Sequence, residues 1–215
     1  NYRSRGAIVE AGNALMRGRG TPGVAANREF GALRIAEFAS FQPSIAEEAL
    51  GERFIAALTR LLRDLLRRHD SAVVLSRLAE RVGGFRRRGQ EDALEQVRRA
   101  VVELLPEARE RVTFSTIHGF KGGEADAVVI ADVTMSVHPF VHPTWFYDRI
   151  HGISRRDVIE DERRLFYVAL TRAKRELVLF RGEGEMSPFV TALKNVPKKD
   201  VEWSQLRSEE HTSEL

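Results

Sequence analysis

Cysteine is absent from the 215 residues, which excludes disulfides and cysteine-rich zinc sites and suits a cytoplasmic setting. The six histidines show no H-E-x-x-H or comparable spacing, so no structural metal is expected. No apolar run approaches the roughly 20 residues that span a bilayer, and no membrane segment is expected. A phosphate cradle of the form G-x-x-x-x-G-K-[ST] is also missing. Gly18 to Gly23 and Gly84 to Gly89 have the glycine spacing, but Val24 and Gln90 stand where the lysine is needed. With no acidic pair at a strand end for magnesium, the chain alone is not expected to hydrolyse a nucleoside triphosphate.

What is there describes an ordinary globular chain: 43% hydrophobic, 30% charged, net charge +3, with length for one good core. The last nine residues, RSEEHTSEL from Arg207 to Leu215, have no periodicity and read like a sequencing adapter translated in frame. They carry one Arg against three Glu, so the rest of the chain is more basic than the whole. With no initiator Met, the chain reads as a fragment, residues 1–206 forming one lobe and 207–215 a non-native tail; a genuine acidic tail is the alternative.

Ile8, Gly12, Leu15 and Met16 sit at helical spacing after Ser4, a candidate N-cap. Gly18, Gly20 and Gly23 satisfy G-x-G-x-x-G, but they follow a helix and surround Pro22, so a loop is expected rather than a dinucleotide site. Leu33 to Phe38 reads as a strand. From Ser44 to His69 a helix turns Leu50, Phe54, Ala57, Leu58, Leu61, Leu62 and Leu65 to one face. Its arginines, Arg53, Arg60, Arg63, Arg67 and Arg68, suit a solvated face first and a phosphate track second. Ala72 to Ser76 reads as a buried strand, Gly83 to Gly89 as a basic loop, Gln90 to Leu105 as a second amphipathic helix, and Val112 to Ile117 as another strand. Pro139 and Pro143 make His138 to Trp145 an ordered loop. Asp157 or Asp161 can cap the helix that follows, Glu176 to Arg181 returns as a strand, and Ser187 or Pro188 starts a last helix to about Lys194, beyond which order should fade. Strands alternating with helices predict an α/β fold, a mostly parallel sheet covered on both faces.

Two stretches dominate: Thr113 to Val133, TFSTIHGFKGGEADAVVIADV, and Glu162 to Phe180, ERRLFYVALTRAKRELVLF. Each joins a run fit for a doubly buried strand to Arg, Lys, His and Glu, expected where that strand ends. Arg172 lies three and four residues after Ala169 and Val168, on the face those residues turn inward, where a guanidinium is expected to need an anion. A cation at a helix C-terminus is the simpler reading for an isolated Arg.

These stretches resemble motifs V and VI of UvrD/Rep-type superfamily 1 helicases, and Asn1-Tyr2-Arg3-Ser4 resembles motif IV. The resemblance runs to about residue 195 and implies the second RecA-like lobe of an ATP-dependent single-stranded DNA translocase or helicase, in the layout of its compact, helicase IV-like members. It implies that Arg3 and Arg172 are arginine fingers reaching the γ-phosphate, that Tyr2 stacks on adenine, and that Glu124 contacts the ribose. Thr116, His118 and Lys121 would face single-stranded DNA. Gly123 replaces the family's usual Leu, which predicts a more flexible loop. Glu162 and Arg163 are expected to pair structurally. ATP is implied as substrate, with Mg2+ and the P-loop supplied by an N-terminal RecA-like lobe. A lobe of a nuclease-helicase fusion and a non-catalytic helicase-like interaction module are the competing readings.

Overall fold

The computed structural model describes residues 4–26, 31–37, 47–142, 152–182, 184–193, 196 and 201–205. Helices α1 (Gly6–Leu15), α2 (Glu47–Arg68), α3 (Ala93–Leu104), α4 (Ala108–Arg111), α5 (Arg155–Leu170) and α6 (Pro188–Ala192) surround a sheet. Its strands are β1 (Ala32–Glu37), β2 (Ala72–Ser76), β5 (Val112–Thr116), β6 (Ala125–Ala131), β7 (Ala173–Arg181) and β8 (Val201–Gln205). They lie in the order β5-β2-β6-β7-β1-β8, and every pairing is parallel.

The apolar runs are explained by burial on both faces. Val74, Val129, Ala131, Val178 and Phe180 point to one face, where Phe54, Leu58, Leu61, Leu62 and Leu65 of α2 and Val97 and Val101 of α3 meet them. Their neighbours Val73, Leu75, Val128, Ile130, Leu177 and Leu179 point to the other, against α1, α5 and α6.

Several expected details change. Gly83 to Gly89 is not simply a basic loop. β3 (Arg81–Val82) and β4 (Phe85–Arg86) form a hairpin turning on Gly83 and Gly84, at φ +55° and +87°, the conformation that two-residue hairpins ask of glycine. A Cβ at Gly83 would stand 2.3 Å from the buried Phe54 ring. Ser4 does not cap α1, whose N-cap is Arg5 without a side-chain bond. Neither Asp157 nor Asp161 caps α5. Ser154 does, and Asp157 answers from N3 in a capping box. β7 starts three residues earlier than expected, and β8 extends the sheet where order was expected to fade. Tyr2, Arg3, the 143–145 part of the proline-containing loop and residues 207–215 lie outside the described residues.

Glu176 of β7 is 1% exposed and accepts from Arg68 Nη1 (2.5 Å) and shares a bond with His69 Nε2 (2.8 Å). Arg34 of β1 lies 3.5 Å away and also meets Asp64 at 2.9 Å. Removing one member of a buried ion cluster strands its partners, so Glu176→Ala is expected to destabilise the chain by about 3 kcal/mol. Thermal unfolding should show the midpoint falling by about 6 to 12 °C. An unchanged midpoint would mean that Arg34 and His69 find water instead.

Candidate functional site

The strands β6 and β7 begin side by side, Ala125 opposite Ala173, and Ala125 N–H donates to the Arg172 carbonyl at 3.0 Å. Arg5 N–H donates to the Lys174 carbonyl at 3.0 Å, which fixes the chain ahead of α1 against the start of β7. The half-buried Arg172 lies just past Thr171, the C-cap of α5. Its guanidinium donates from Nε to the Val168 carbonyl and from Nη1 to the Gly123 carbonyl, both at 3.0 Å. The anion expected from spacing is therefore replaced by two carbonyls, that of Val168 in the last turn of α5, where free helix-end carbonyls carry partial negative charge, and that of Gly123 in the loop 117–124. Glu124, next in the chain, pairs with Lys174 at 2.7 Å. Arg172, Glu124, Lys174 and the backbone of Arg5 thus gather at the edge where the strands start, not where they end.

Thr116, the last residue of β5, and His118, just past it, lie at the opposite edge. Thr116 Oγ1 accepts from Gly119 N–H at 3.0 Å, and His118 and Lys121 are exposed. The loop 117–124 is tied by Phe120 N–H to the Thr116 carbonyl (3.0 Å), Lys121 N–H to that of His118 (3.2 Å) and Gly123 N–H to that of Phe120 (3.0 Å). The Phe120 ring occupies the space a side chain at Gly123 would fill, 2.7 Å from an ideal Cβ. The glycine is there for close packing.

Motif-level reading missed a polar cluster beside Thr116. Arg77 follows β2 directly, and its guanidinium grips Glu162 of α5, Nε to Oε2 at 2.9 Å and Nη2 to Oε1 at 2.7 Å. Glu162 also accepts from Phe140 N–H at 3.1 Å, and Arg77 stacks over the Phe140 ring at 5.5 Å. Glu162 and Arg163 are structural, as expected, but not as a pair: Arg163 meets Glu160 at 3.5 Å and covers the Phe189 ring. His138, 1% exposed, packs on Phe166 with ring centroids 5.0 Å apart. Burial, with Arg77 nearby, lowers its pKa to about 3, against a hydrogen bond to the Ala131 backbone that pulls the other way. Asp132 adopts φ +53° and is buried. Desolvation pushes its carboxyl above the ordinary range, despite Gly83 N–H donating to it at 2.5 Å and the charge of Arg81. No local pattern announces these residues. A buried Glu in mid-helix is the one signal that asks for a partner.

A cavity of about 570 Å³ lies between α1, the glycine loop and α5, lined among others by Glu10, Asn13, Arg17, Arg19 and Tyr167. The glycine loop follows α1 and opens no described helix, so its G-x-G-x-x-G pattern lacks the dinucleotide setting. Arg19 there is bound to Glu160 at 2.6 Å. Among the described residues no three His, Cys, Asp or Glu are grouped to hold a metal, and no helix is long and apolar enough to cross a membrane.

Comparison with known proteins fits this geometry. DNA helicase IV of Escherichia coli (strain K12) is 36% identical over 91 residues, which is 40% of this chain and 13% of that protein's length. The chain thus matches only a small part of that relative. The C-terminal domain of a possible DNA helicase from Lactobacillus plantarum WCFS1 has the same fold, with TM-score 0.51 and 19% identity over 94% of this chain and 98% of that one. The UvrD-like helicase C-terminal domain matches residues 87–182, a range that takes in Thr116, His118, Lys121, Glu124, Glu162 and Arg172. Over residues 87–182, a little under half of its length, the chain is similar to the UvrD-like helicase C-terminal domain family.

Proposed function

We propose that residues 1–206 are the second motor lobe of an ATP-driven single-stranded DNA translocase or helicase. The observation that carries this reading is the gathering of Arg172, Glu124 and the Arg5 backbone at the start of β6 and β7. Arg3 is proposed as the second arginine finger, with Tyr2 as the adenine platform. ATP is the substrate, held by the P-loop of a partner lobe that also supplies the Mg2+ ligands; this chain has no phosphate cradle of its own. Arg172 and Arg3 offset charge on the transferring phosphoryl group. Glu124 leaves Lys174 for the ribose at small cost, since a partly exposed pair contributes about 0 to 1 kcal/mol.

Thr116, His118 and Lys121 are assigned to the DNA strand, hydroxyl and ammonium to phosphate and imidazole to phosphate or base. The position of Thr116 and His118 at the far edge from Arg172 suits a lobe that holds nucleotide at one edge and nucleic acid at the other, with Lys121 in the loop between. The test is DNA-stimulated ATPase activity of the complete two-lobe protein. Replacing His118 and Lys121 by alanine is expected to raise the DNA concentration for half-maximal stimulation by about tenfold, on the scale of 1 to 3 kcal/mol per stacked base, without changing ATPase activity in the absence of DNA. An unaltered DNA requirement would remove these residues from the strand path.

A further inference from the structure

The outward face of α2 is not used by anything described above. At 3.6 residues per turn, Arg53, Arg60, Arg63 and Arg67 fall within an arc of about 80°, directly opposite Phe54, Leu58, Leu61, Leu62 and Leu65. All four arginines are exposed and those five apolar residues are buried. The stripe is about 21 Å long at 1.5 Å per residue. No acidic residue of the helix falls on that arc. Glu52 lies beyond its margin, and Asp64 faces Arg34 and Arg68. Among the described residues Arg53, Arg63 and Arg67 make no ion pair.

A solvated helix face normally interleaves both signs, because like charges three and four residues apart destabilise a helix. Arg60, Arg63 and Arg67 stand at those spacings. The hairpin β3–β4 lies on the other side of α2, with its Phe85 ring on Gly51, where a Cβ would come within 3.1 Å, and leaves the stripe uncovered. We infer that this arginine stripe is a docking surface for the phosphate backbone of duplex nucleic acid. Duplex is favoured over single strand by chemistry. Single strands are gripped by aromatic platforms, and α2 has one aromatic residue, Phe54, which is fully buried. A straight row of guanidinium groups on a rigid helix suits the dense, regular charge of a duplex. Contact would be independent of sequence, since nothing on the stripe reads base edges. The inference does not rest on the motor reading, because its test needs no ATP.

The experiment compares the chain with R53Q/R63Q/R67Q by fluorescence anisotropy, titrating a labelled 20-base-pair DNA duplex and a labelled 20-mer of thymidylate over a range of salt. A control variant, R17Q/R109Q/R156Q, removes the same charge from exposed positions elsewhere. The stripe variant is expected to lose tenfold or more in duplex affinity, with the log K against log salt slope shrinking by about 2 to 3. The control, and binding of the single strand, should change less than twofold. Unchanged duplex binding would leave α2 a solvated face and overturn the inference. So would an equal loss for the single strand, or an equal loss in the control. The substituted side chains are solvent-exposed, and matching thermal midpoints exclude a folding defect.

Discussion

Arg172→Ala, made in the complete two-lobe protein, is expected to lower single-strand-stimulated ATP turnover by about 10³ to 10⁵. On the proposed finger role, so large an effect resides in one side chain. Its bonds to the Val168 and Gly123 carbonyls use Nε and one hydrogen of Nη1, leaving three of the five N–H donors of a guanidinium. The group is thus fixed in place, and in the proposed role a fixed donor costs no reorganisation during reaction. Single-strand affinity without nucleotide should stay within a few-fold. Arg172→Lys keeps the charge but cannot bridge both carbonyls and still reach outward, so it should recover little of the rate. The two lost carbonyl bonds also predict a destabilisation of about 1 to 3 kcal/mol. A lower thermal midpoint with unchanged turnover would reduce Arg172 to a stay between α5 and the loop 117–124.

His138 makes stability depend on pH with a definite sign. Its pKa is lowered to about 3 in the folded chain and is near 6.5 when unfolded. Above pH 6.5 both states are neutral and the full contribution is present. As pH falls, the unfolded chain takes up a proton that the folded one refuses, and stability drops until the folded pKa is passed. At 1.36 kcal/mol per unit, the window from about 6.5 to 3 removes about 4 to 5 kcal/mol. Denaturant unfolding of the chain and of His138→Gln at steps from pH 7 to pH 4 isolates this from carboxylate protonation, which both share. The variant should lose less stability on acidification. Parallel curves would mean that the imidazole is protonated in the folded chain.

Asp132 acts in the opposite sense. Its carboxyl is raised by desolvation, so its contribution is present below the unfolded pKa and declines as pH rises towards the folded one. The two groups lie on the same stretch after β6, and the pH of greatest stability reflects both.

Legibility in the sequence followed burial. β2 and β6 are apolar along nearly their whole length because both faces are covered, and a doubly buried strand has no polar residue to blur it. β8, VEWSQ, alternates without an apolar run and owes its place to pairing with β1, which no local signal conveys. The helix cap was misread for a different reason. Ser154 and Asp157 are both good caps, and the reciprocal box needs Ser outside and the acid at N3. Arg77 and Glu162 are 85 residues apart, and Arg172 reaches Gly123 across 49. Motif likeness pointed to Arg172, but that its partners are carbonyls depends on two segments meeting at one sheet edge. That meeting is a property of the topology.

The same topology has a geometric consequence. Thr116 is paired with Ser76, and Leu75 with Ile130, so β5 ends level with the end of β6. Ala125, where β6 begins, lies about 20 Å down the sheet and about 10 Å across it. Residues 117–124 must cover that diagonal in both directions at once. Their first part is coiled into turns, which advance only about 1.5 to 2 Å per residue, and the rest can extend by at most about 3.3 to 3.6 Å each. The segment thus crosses the sheet from rim to rim mostly as turns, and places His118 and Glu124, six residues apart, at the two ends of one short connection.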